Sequence, residues 1–528
     1  MTHSIQRMPM TIRGARTWTE PSAGLGPGPV DIHLDGDRIT AIDPAGTRPP
    51  VGRIVDAAGT WVGPGFVDAH VHLVMAGLGL RQLDLSAADS RPAFEAAIAA
   101  EARRLDAEDA TGDRWLLARG WDESRWGGDR PEAAWLAAAG GRPAAAWRMD
   151  IHAAVVNPAA MARLDLREPV PGGTIVRDAA GRPTGLLVEA AAWERLMPAL
   201  PEPTVAAERE AVRLAEAHAH ARGVVAVGSM EYLDVLERAL VPLAEDLTLR
   251  IRVLALDREL PLDFPRMRAI PRHEMLRLFA VKCFVDGTLG SRTARMLEPY
   301  ADGDAAEDRG LLVERALDGT LGDWARAAAG AGFGIAMHAI GDEAVRLALD
   351  AADIAGAAAP PGSSPIIRIE HAQHVAATDR PRFAGRFASM QPAHRVGDHA
   401  VMHRRLGSRR AAAAFDFAGL AAAGARLAFG SDWPVIDCDP LEAIAAAVAG
   451  ITREGTRPSG REIPVAAAID AHTRTAWDAI DEPGRGRLAA GQPADLVLLD
   501  ADPGTCDWTG LRPRVLATVA AGRLVHET

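Results

Sequence analysis

Cysteine is scarce in this chain of 528 residues: there are three, Cys283, Cys438 and Cys506, far apart and odd in number. With no CxxC spacing they offer neither a disulfide framework nor a thiolate zinc site, and a reducing cytoplasm suits them. Tyrosine is almost missing, at two residues, and aromatics make up only 5% of the chain. Alanine is abundant instead, a usage that fits a high-GC bacterial genome better than a functional demand. The stretch MTHSIQRMPMTIRGARTW holds no continuous apolar core, so no secretory signal is expected in it. No apolar run reads as a membrane span. The most alanine-rich stretch, 411–430, is broken by Asp416 and Arg426 and reads as a buried helix followed by a strand. Positive charge is in deficit, with a net charge of −12 and a pI near 5.8. That balance argues against nucleic acid or an anionic membrane as partner.

What is present is an ordinary globular composition, 48% hydrophobic and 24% charged, long enough for more than one folding unit. Residues 30–34 and 38–42 alternate around the turn Asp35-Gly36-Asp37, a hairpin pattern. Residues 495–500, 515–519 and 524–525 are strand-like as well, so a small β-sandwich built from both ends, 1–62 and 486–528, is expected. Between them, eight short apolar strands alternate with alanine-rich helical stretches such as 205–221, 342–356 and 410–423. The strands fall at 65–72, 223–230, 249–256, 279–286, 334–340, 366–373, 387–392 and 426–432. Eight such units over 63–485 predict an α/β fold, a (β/α)8 barrel of the TIM type. A doubly wound sheet is the alternative, but no glycine-rich phosphate loop follows the first strand. Residues 110–200, rich in Trp, Gly and Pro, break the rhythm and read as an insertion between strands one and two that shapes a pocket.

Strand one ends Gly65-Phe66-Val67-Asp68-Ala69-His70-Val71-His72. Residues i and i+2 of a strand share a face, so His70 and His72 aim two imidazoles at one point, where a divalent ion can sit. Strand four contains Lys282, strands five and six end at His338 and His371, and strand eight ends at Asp432. Barrel enzymes carry their active sites at that strand end, so all six residues can converge. Each alone has a plainer reading. His338 or His371 can be a hydrogen-bonded core histidine, and Asp432 a helix N-cap. Lys282 is harder to explain so, because an unpaired lysine in an apolar strand is costly to desolvate.

These residues together resemble the ligand set of the amidohydrolase superfamily, and more narrowly its amidohydrolase-3 branch, the YtcJ-like and N-substituted formamide deformylase-like proteins. The likeness is carried by VGPGFVDAHVH (62–72), RGWDESRWGGDRP (119–131), VKCFVDGTLGSRTA (281–294), MHAIGDEA (337–344), RIEHAQ (368–373), QPAH (391–394), LAFGSDWPV (427–435) and GRLAAGQPADLVLLD (486–500). It implies a metal-dependent hydrolase of carbon–nitrogen bonds other than peptide bonds. His70, His72 and Asp432 would bind one metal ion and His338 and His371 a second, two zinc ions in all. Lys282, carboxylated, would bridge them, although a single-metal site with unmodified lysine also occurs in the superfamily. Asp432 would be the general acid and base for attack of a metal-activated water on a small amide. Trp121, His152, Glu189, Asp286, Arg292 and His394 lie in or near the family-like stretches and are candidate substrate contacts. Asp342 and Glu370 either orient metal ligands or are a helix-end carboxylate and an ordinary paired or solvated charge. Thr473-Arg474-Thr475-Ala476-Trp477 departs from the family's usual Asn-Ala-Ala type run, with consequences expected for packing near the last barrel helix. The expected partner is a small-molecule substrate, with a homodimer possible. Ester, lactone or carbamate hydrolysis, free-base deamination, and an idle metal-binding scaffold are the competing readings.

Overall fold

The computed structural model describes residues 9–18, 28–109, 111–149, 151, 153–170, 173–256, 261–303, 307–450, 461–510 and 512–528. Its contacts divide the chain into two compact units, one of residues 1–73 with 212–528 and one of 74–211.

The first unit holds eight parallel strands: β1 (Phe66–Val71), β2 (Val224–Glu231), β3 (Arg250–Leu256), β4 (Leu276–Phe284), β5 (Gly334–Ala339), β6 (Ile367–His371), β7 (Phe387–Met390) and β8 (Arg426–Phe429). Each pairs with the next in order. Strands buried on both faces read as near-continuous apolar runs, which is why all eight stand out in the sequence. The gap between β1 and β8 is closed past the end of β8: Val71 bridges Trp433, Asp432 N–H donates to His70 O (2.7 Å), and His72 N–H donates to Trp433 O (2.8 Å). The result is a nearly closed eight-stranded barrel, the expected architecture. Its core includes Val67, Ala69, Val225, Leu254, Ala336 and Ala428. Trp477, from the run that departs from the family pattern, is fully buried in the same cluster beside Ile480.

Strands from both ends of the chain share one further sheet. Arg38–Pro44, Val30–Asp35 and Met10–Thr17 follow one another in that order, Met10–Thr17 neighbours Trp61–Pro64, and Trp61–Pro64 pairs antiparallel with Leu496–Leu499; Val515–Ala520 and Arg523–Glu527 complete the row. Ile12, Ile32, Val62, Leu496 and Val519 form its apolar core. The helix expected over 410–423 is two helices, His399–Ala411 and Phe417–Ala422. The break has a local cause. Phe415 takes φ 51°, and the Asp416 carboxylate caps the second helix by accepting from Gly419 N–H (3.0 Å).

The second unit starts earlier than the 110–200 stretch that composition sets apart. Leu83–Asp84 joins its six-stranded sheet, and the helix Arg91–Glu108, capped by Ser90, supplies Phe94 and Ile98 to its core. Trp121 and Trp135 belong to that core, and Trp115 and Trp147 to a second cluster of the same unit.

His220 ties the barrel to the terminal sheet, since Thr518 Oγ1 donates to His220 O (2.7 Å) and His220 Nδ1 lies 2.9 Å from Val224 O. Burial pushes its imidazole down to about 4 from its ordinary 6.5. The unfolded chain therefore binds a proton between those values that the folded chain refuses, so the stabilisation is complete above pH 6.5 and is lost as pH falls toward 4. Urea midpoints measured from pH 7 to pH 4 are expected to fall, and to fall less steeply for His220→Asn. Equal slopes would remove His220 from the account.

Candidate metal centre

His70 and His72 project from the end of β1 to meet Asp432. His70 Nε2 and His72 Nε2 lie 3.3 and 3.5 Å from Asp432 Oδ1. Ligands about 2.0–2.2 Å from a tetrahedral ion stand about 3.3 Å apart, so the three atoms have the spacing of one coordination shell. The approach of the two strand ends requires Gly430, where a Cβ would come within 2.5 Å of His70 N and 2.8 Å of Asp68 Oδ1. Asp68 Oδ1 accepts from both His70 N–H (3.1 Å) and Ser431 N–H (3.0 Å), stitching the segments together. Asp432 takes φ 61°, and His371 and Ala372 take 69° and 42°. Left-handed backbone at non-glycine residues is held only where the surroundings determine it, and it clusters at functional sites.

The other expected ligands gather beside this cluster. The His371 ring lies 5.1 Å from that of His70 and 4.4 Å from that of His338. Lys282 is buried, and among the described residues its Nζ has no hydrogen-bond partner; the Phe284 ring lies 5.0 Å away. Burial pulls the Lys282 amine below its usual range, against the attraction of Glu370 and Asp432. His338 is held down to about 3, first by burial and then by the Lys282 charge, and His371 lies well below its ordinary value for similar reasons. Burial also lowers His72. Neutral imidazole is the form that binds metal. On His70, burial and the Lys282 charge push down but Asp432 and Glu370 raise it overall. Burial disfavours the charged form of Asp432, yet the His70 charge and the hydrogen bonds of His70 and His72 keep its carboxyl well below the usual range.

Glu370 stands against His70 at the end of β6. It is completely buried, its Oε2 lies 2.7 Å from His70 Nδ1, and it receives a bidentate pair from Arg368 (2.7 and 3.0 Å). Arg368, also fully buried, donates further to Ala69 O (2.7 Å) and Ser389 Oγ (2.9 Å). Such an outer carboxylate fixes the tautomer that leaves Nε2 free for a metal. Sequence reasoning missed Arg368, although the signal that marked Lys282, a cation inside an apolar strand, applies to it equally. Gln391, 3.3 Å from His70 Nδ1, was missed too. Asp342 follows its plainer reading, at the first turn of the helix Asp342–Ala358 with its Oδ1 accepting from Leu297 N–H (2.7 Å).

Among the candidate substrate contacts, His394 has its ring 6.2 Å from that of His371 and its Nε2 3.3 Å from Ser431 O. Asp286 is an anchor for backbone: it accepts from Ile340, Gly341 and Arg295 N–H groups, lies 3.6 Å from His338 Nε2, and is pushed up to about 7 by burial. Arg292 donates to Asp302 O (2.8 Å) within the segment that follows β4. Trp121 is packed into the core of its own unit, with its indole N–H on Ala146 O (2.8 Å). Glu189 ends the strand Pro183–Glu189 of that unit with φ 53°. His152 lies outside the described residues.

A parallel barrel with histidines, a buried lysine and an aspartate at its strand ends is the architecture of a metal-dependent hydrolase. The profile of the Amidohydrolase family (Amidohydro_3) matches residues 53–526, and the chain belongs to that family. It is 33% identical over 497 residues to protein LONG AFTER FAR-RED 3 of Arabidopsis thaliana, covering 89% of this chain and 83% of that one. It is 32% identical over 493 residues to YtcJ of Bacillus subtilis (strain 168), which carries an amidohydrolase name, covering 88% of each chain. It is 25% identical over 534 residues to the N-substituted formamide deformylase of Arthrobacter pascens, covering 94% of each. In fold it is similar to an uncharacterized metal-dependent hydrolase from Pyrococcus horikoshii, with a TM-score of 0.74 at 24% identity over 95% of this chain and 99% of that one.

Proposed function

We propose that this protein hydrolyses a carbon–nitrogen bond other than a peptide bond in a small amide, such as an N-acyl or N-formyl amine or a cyclic amide. The observation that carries the reading is the Lys282 amine, buried beside the His70–His72–Asp432 cluster and, among the described residues, without a hydrogen-bond partner. The nitrogen and oxygen donors suit zinc. His70, His72 and Asp432 would hold one ion, and His338 and His371 a second. Lys282, as the neutral amine that burial favours, can add to carbon dioxide: a new N–C bond forms, one proton leaves, and the neutral nitrogen end becomes an anionic group with two oxygen donors. Divalent ions held by these residues would supply a water of lowered pKa and polarise the scissile carbonyl. Asp432, ionised and facing His70 and His72, takes the proton of the attacking water and returns it to the departing amine. Glu370 keeps His70 in the tautomer this arrangement needs. The likeness to a formamide deformylase favours an amide over an ester, lactone or carbamate, whose hydrolysis would use the same groups.

The test is elemental analysis of the purified full chain together with amine release from N-benzylformamide and N-acetylbenzylamine, with p-nitrophenyl acetate as the ester probe. About two zinc ions per chain are expected. Amine release should fall to background after 1,10-phenanthroline and return with zinc. One ion per chain would leave Lys282 out of the centre. Turnover of the ester alone would replace the amide reading, and a chain that takes up no metal would end the hydrolase reading.

A further inference from the structure

Among the described residues a second trio of potential ligands lies close together: His218, Asp437 and Cys438. Its surroundings argue against a cation. Both oxygens of Asp437 are engaged, Oδ1 by His218 Nε2 at 2.6 Å and by Cys438 N–H at 3.0 Å, and Oδ2 by the Arg222 guanidinium at 2.6 and 2.8 Å. The guanidinium already supplies the positive charge, and it stays charged under any accessible condition. Burial pushes the Cys438 thiol well above its usual range, whereas a metal needs the thiolate.

The cluster touches something else. The His218 ring lies flat on the Trp433 indole, centroids 4.7 Å apart and planes 8° apart. Trp433 is buried and follows Asp432 directly. Its O accepts from His72 N–H, and its N–H donates to Ser431 Oγ (3.0 Å). We propose that His218, Asp437 and Arg222 form a latch that presses on Trp433 and thereby fixes the left-handed backbone of Asp432, making His218 a positioning residue for the metal centre. The proposal rests on the reading of Asp432 given above.

Both ends of the latch are anchored. Arg222 Nη1 donates back to His218 O (3.1 Å), at the end of the helix Val205–His220. Asp439 N–H donates to Asp437 O (2.8 Å), and the Asp439 side chain caps the helix Pro440–Val448. Burial disfavours the Asp437 carboxylate, but the His218 hydrogen bond and the Arg222 charge hold it below its usual range, so the latch stays charged and closed. The latch thus bears on a residue at φ 61°, a conformation aspartate adopts more readily than most and that its surroundings can hold.

The test compares His218→Ala, His218→Phe, Trp433→Ala and the double variant His218→Ala/Trp433→Ala as full chains. Hydrogen exchange of the backbone amides within 431–435 (Ser431, Asp432, Trp433 and Val435) is followed in metal-free protein, and zinc affinity and stoichiometry by competition with a chelator. His218→Ala is expected to raise exchange at 431–435 and to weaken zinc binding by about tenfold each, the size of a contact-pair coupling. Exchange in β6 and the number of zinc ions should stay unchanged. His218→Phe keeps a flat ring on Trp433 and should recover most of both effects; it also serves if the alanine variant does not fold. The double variant should be no worse than Trp433→Ala. Unchanged exchange at 431–435 in the His218 variants overturns the latch, and so does the loss of one zinc ion per chain, which would make the trio a cation site. Unaltered zinc affinity in Asp432→Asn would defeat the ligand reading of Asp432, while the exchange measurement still decides on the latch.

Discussion

Asp432→Asn is expected to lower turnover of the amide probes by roughly 10²–10⁴-fold, the contribution of a positioned proton-transfer group. Asparagine is the instructive replacement. It tolerates left-handed backbone nearly as well as aspartate, so φ 61° at this position adds no strain. The backbone hydrogen bond from residue 432 to His70 O survives, because it uses no side-chain atom. The amide oxygen can still face the two imidazoles, but the side chain can no longer take a proton, and one negative charge is lost from the cluster. Zinc affinity and turnover should therefore both fall while the thermal midpoint stays close to that of the parent. Asp432→Ala confounds these effects, since it places an unsupported left-handed residue at the seam. Turnover unchanged in zinc-saturated Asp432→Asn would remove this residue from the proton path.

Arg368→Met is expected to cost about 3–5 kcal/mol of folding stability, as the loss of one partner from a buried ion pair does. Arg368 and Glu370 stand at i and i+2 of β6 and so share a face; neither reaches solvent. Removing the guanidinium takes both of its hydrogen bonds from the Glu370 carboxylate and leaves the 2.7 Å contact with His70. The carboxylate then has two remedies: to take up a proton, which would reverse the His70 tautomer, or to draw one onto His70, which would charge the ring; each takes away the free Nε2 lone pair. Arg368→Met/Glu370→Gln removes both charges and should recover a large part of the loss, giving a non-additive cycle in urea denaturation. Equal losses in the single and double variants would mean that the pair packs as volume and not as charge.

Much of this was open to reading in the residues. All eight barrel strands announce themselves because strands covered on both sides must be apolar along their length, and the residues that break that rule at their ends, His70, His72, Lys282, His338, His371 and Asp432, are the ones gathered in the centre. What stayed hidden depends on partners distant in the chain. Glu370 looked as much like a paired surface charge as a ligand holder until His70 was seen at its side. The role of His218 needs Trp433 and Asp437, which no periodicity connects to it. Trp121 invited a pocket reading from its place in a family-like stretch, and it is packed in the apolar core of its own unit. The break at Phe415 and Asp416 was masked by the alanines around it, which favour helix whatever the tertiary path requires.

The closure of the barrel has a consequence in time. Its last seam is made by the backbones of His70, His72, Asp432 and Trp433, so the two halves of the cluster arrive from the opening and the closing strands of the ring. During synthesis the two histidines leave the ribosome long before their aspartate exists, and for most of translation they are an ordinary pair of imidazoles. The cluster comes into being only when the newest strand slots in beside the oldest, the most sequence-distant pairing in the ring and the one with the greatest loop-closure cost. A metal captured at that moment would act as a clasp on a finished ring, adding its binding free energy to the stability of the closed barrel by mass action. The supply of the ion would then bear on how much protein persists as well as on how fast each molecule turns over.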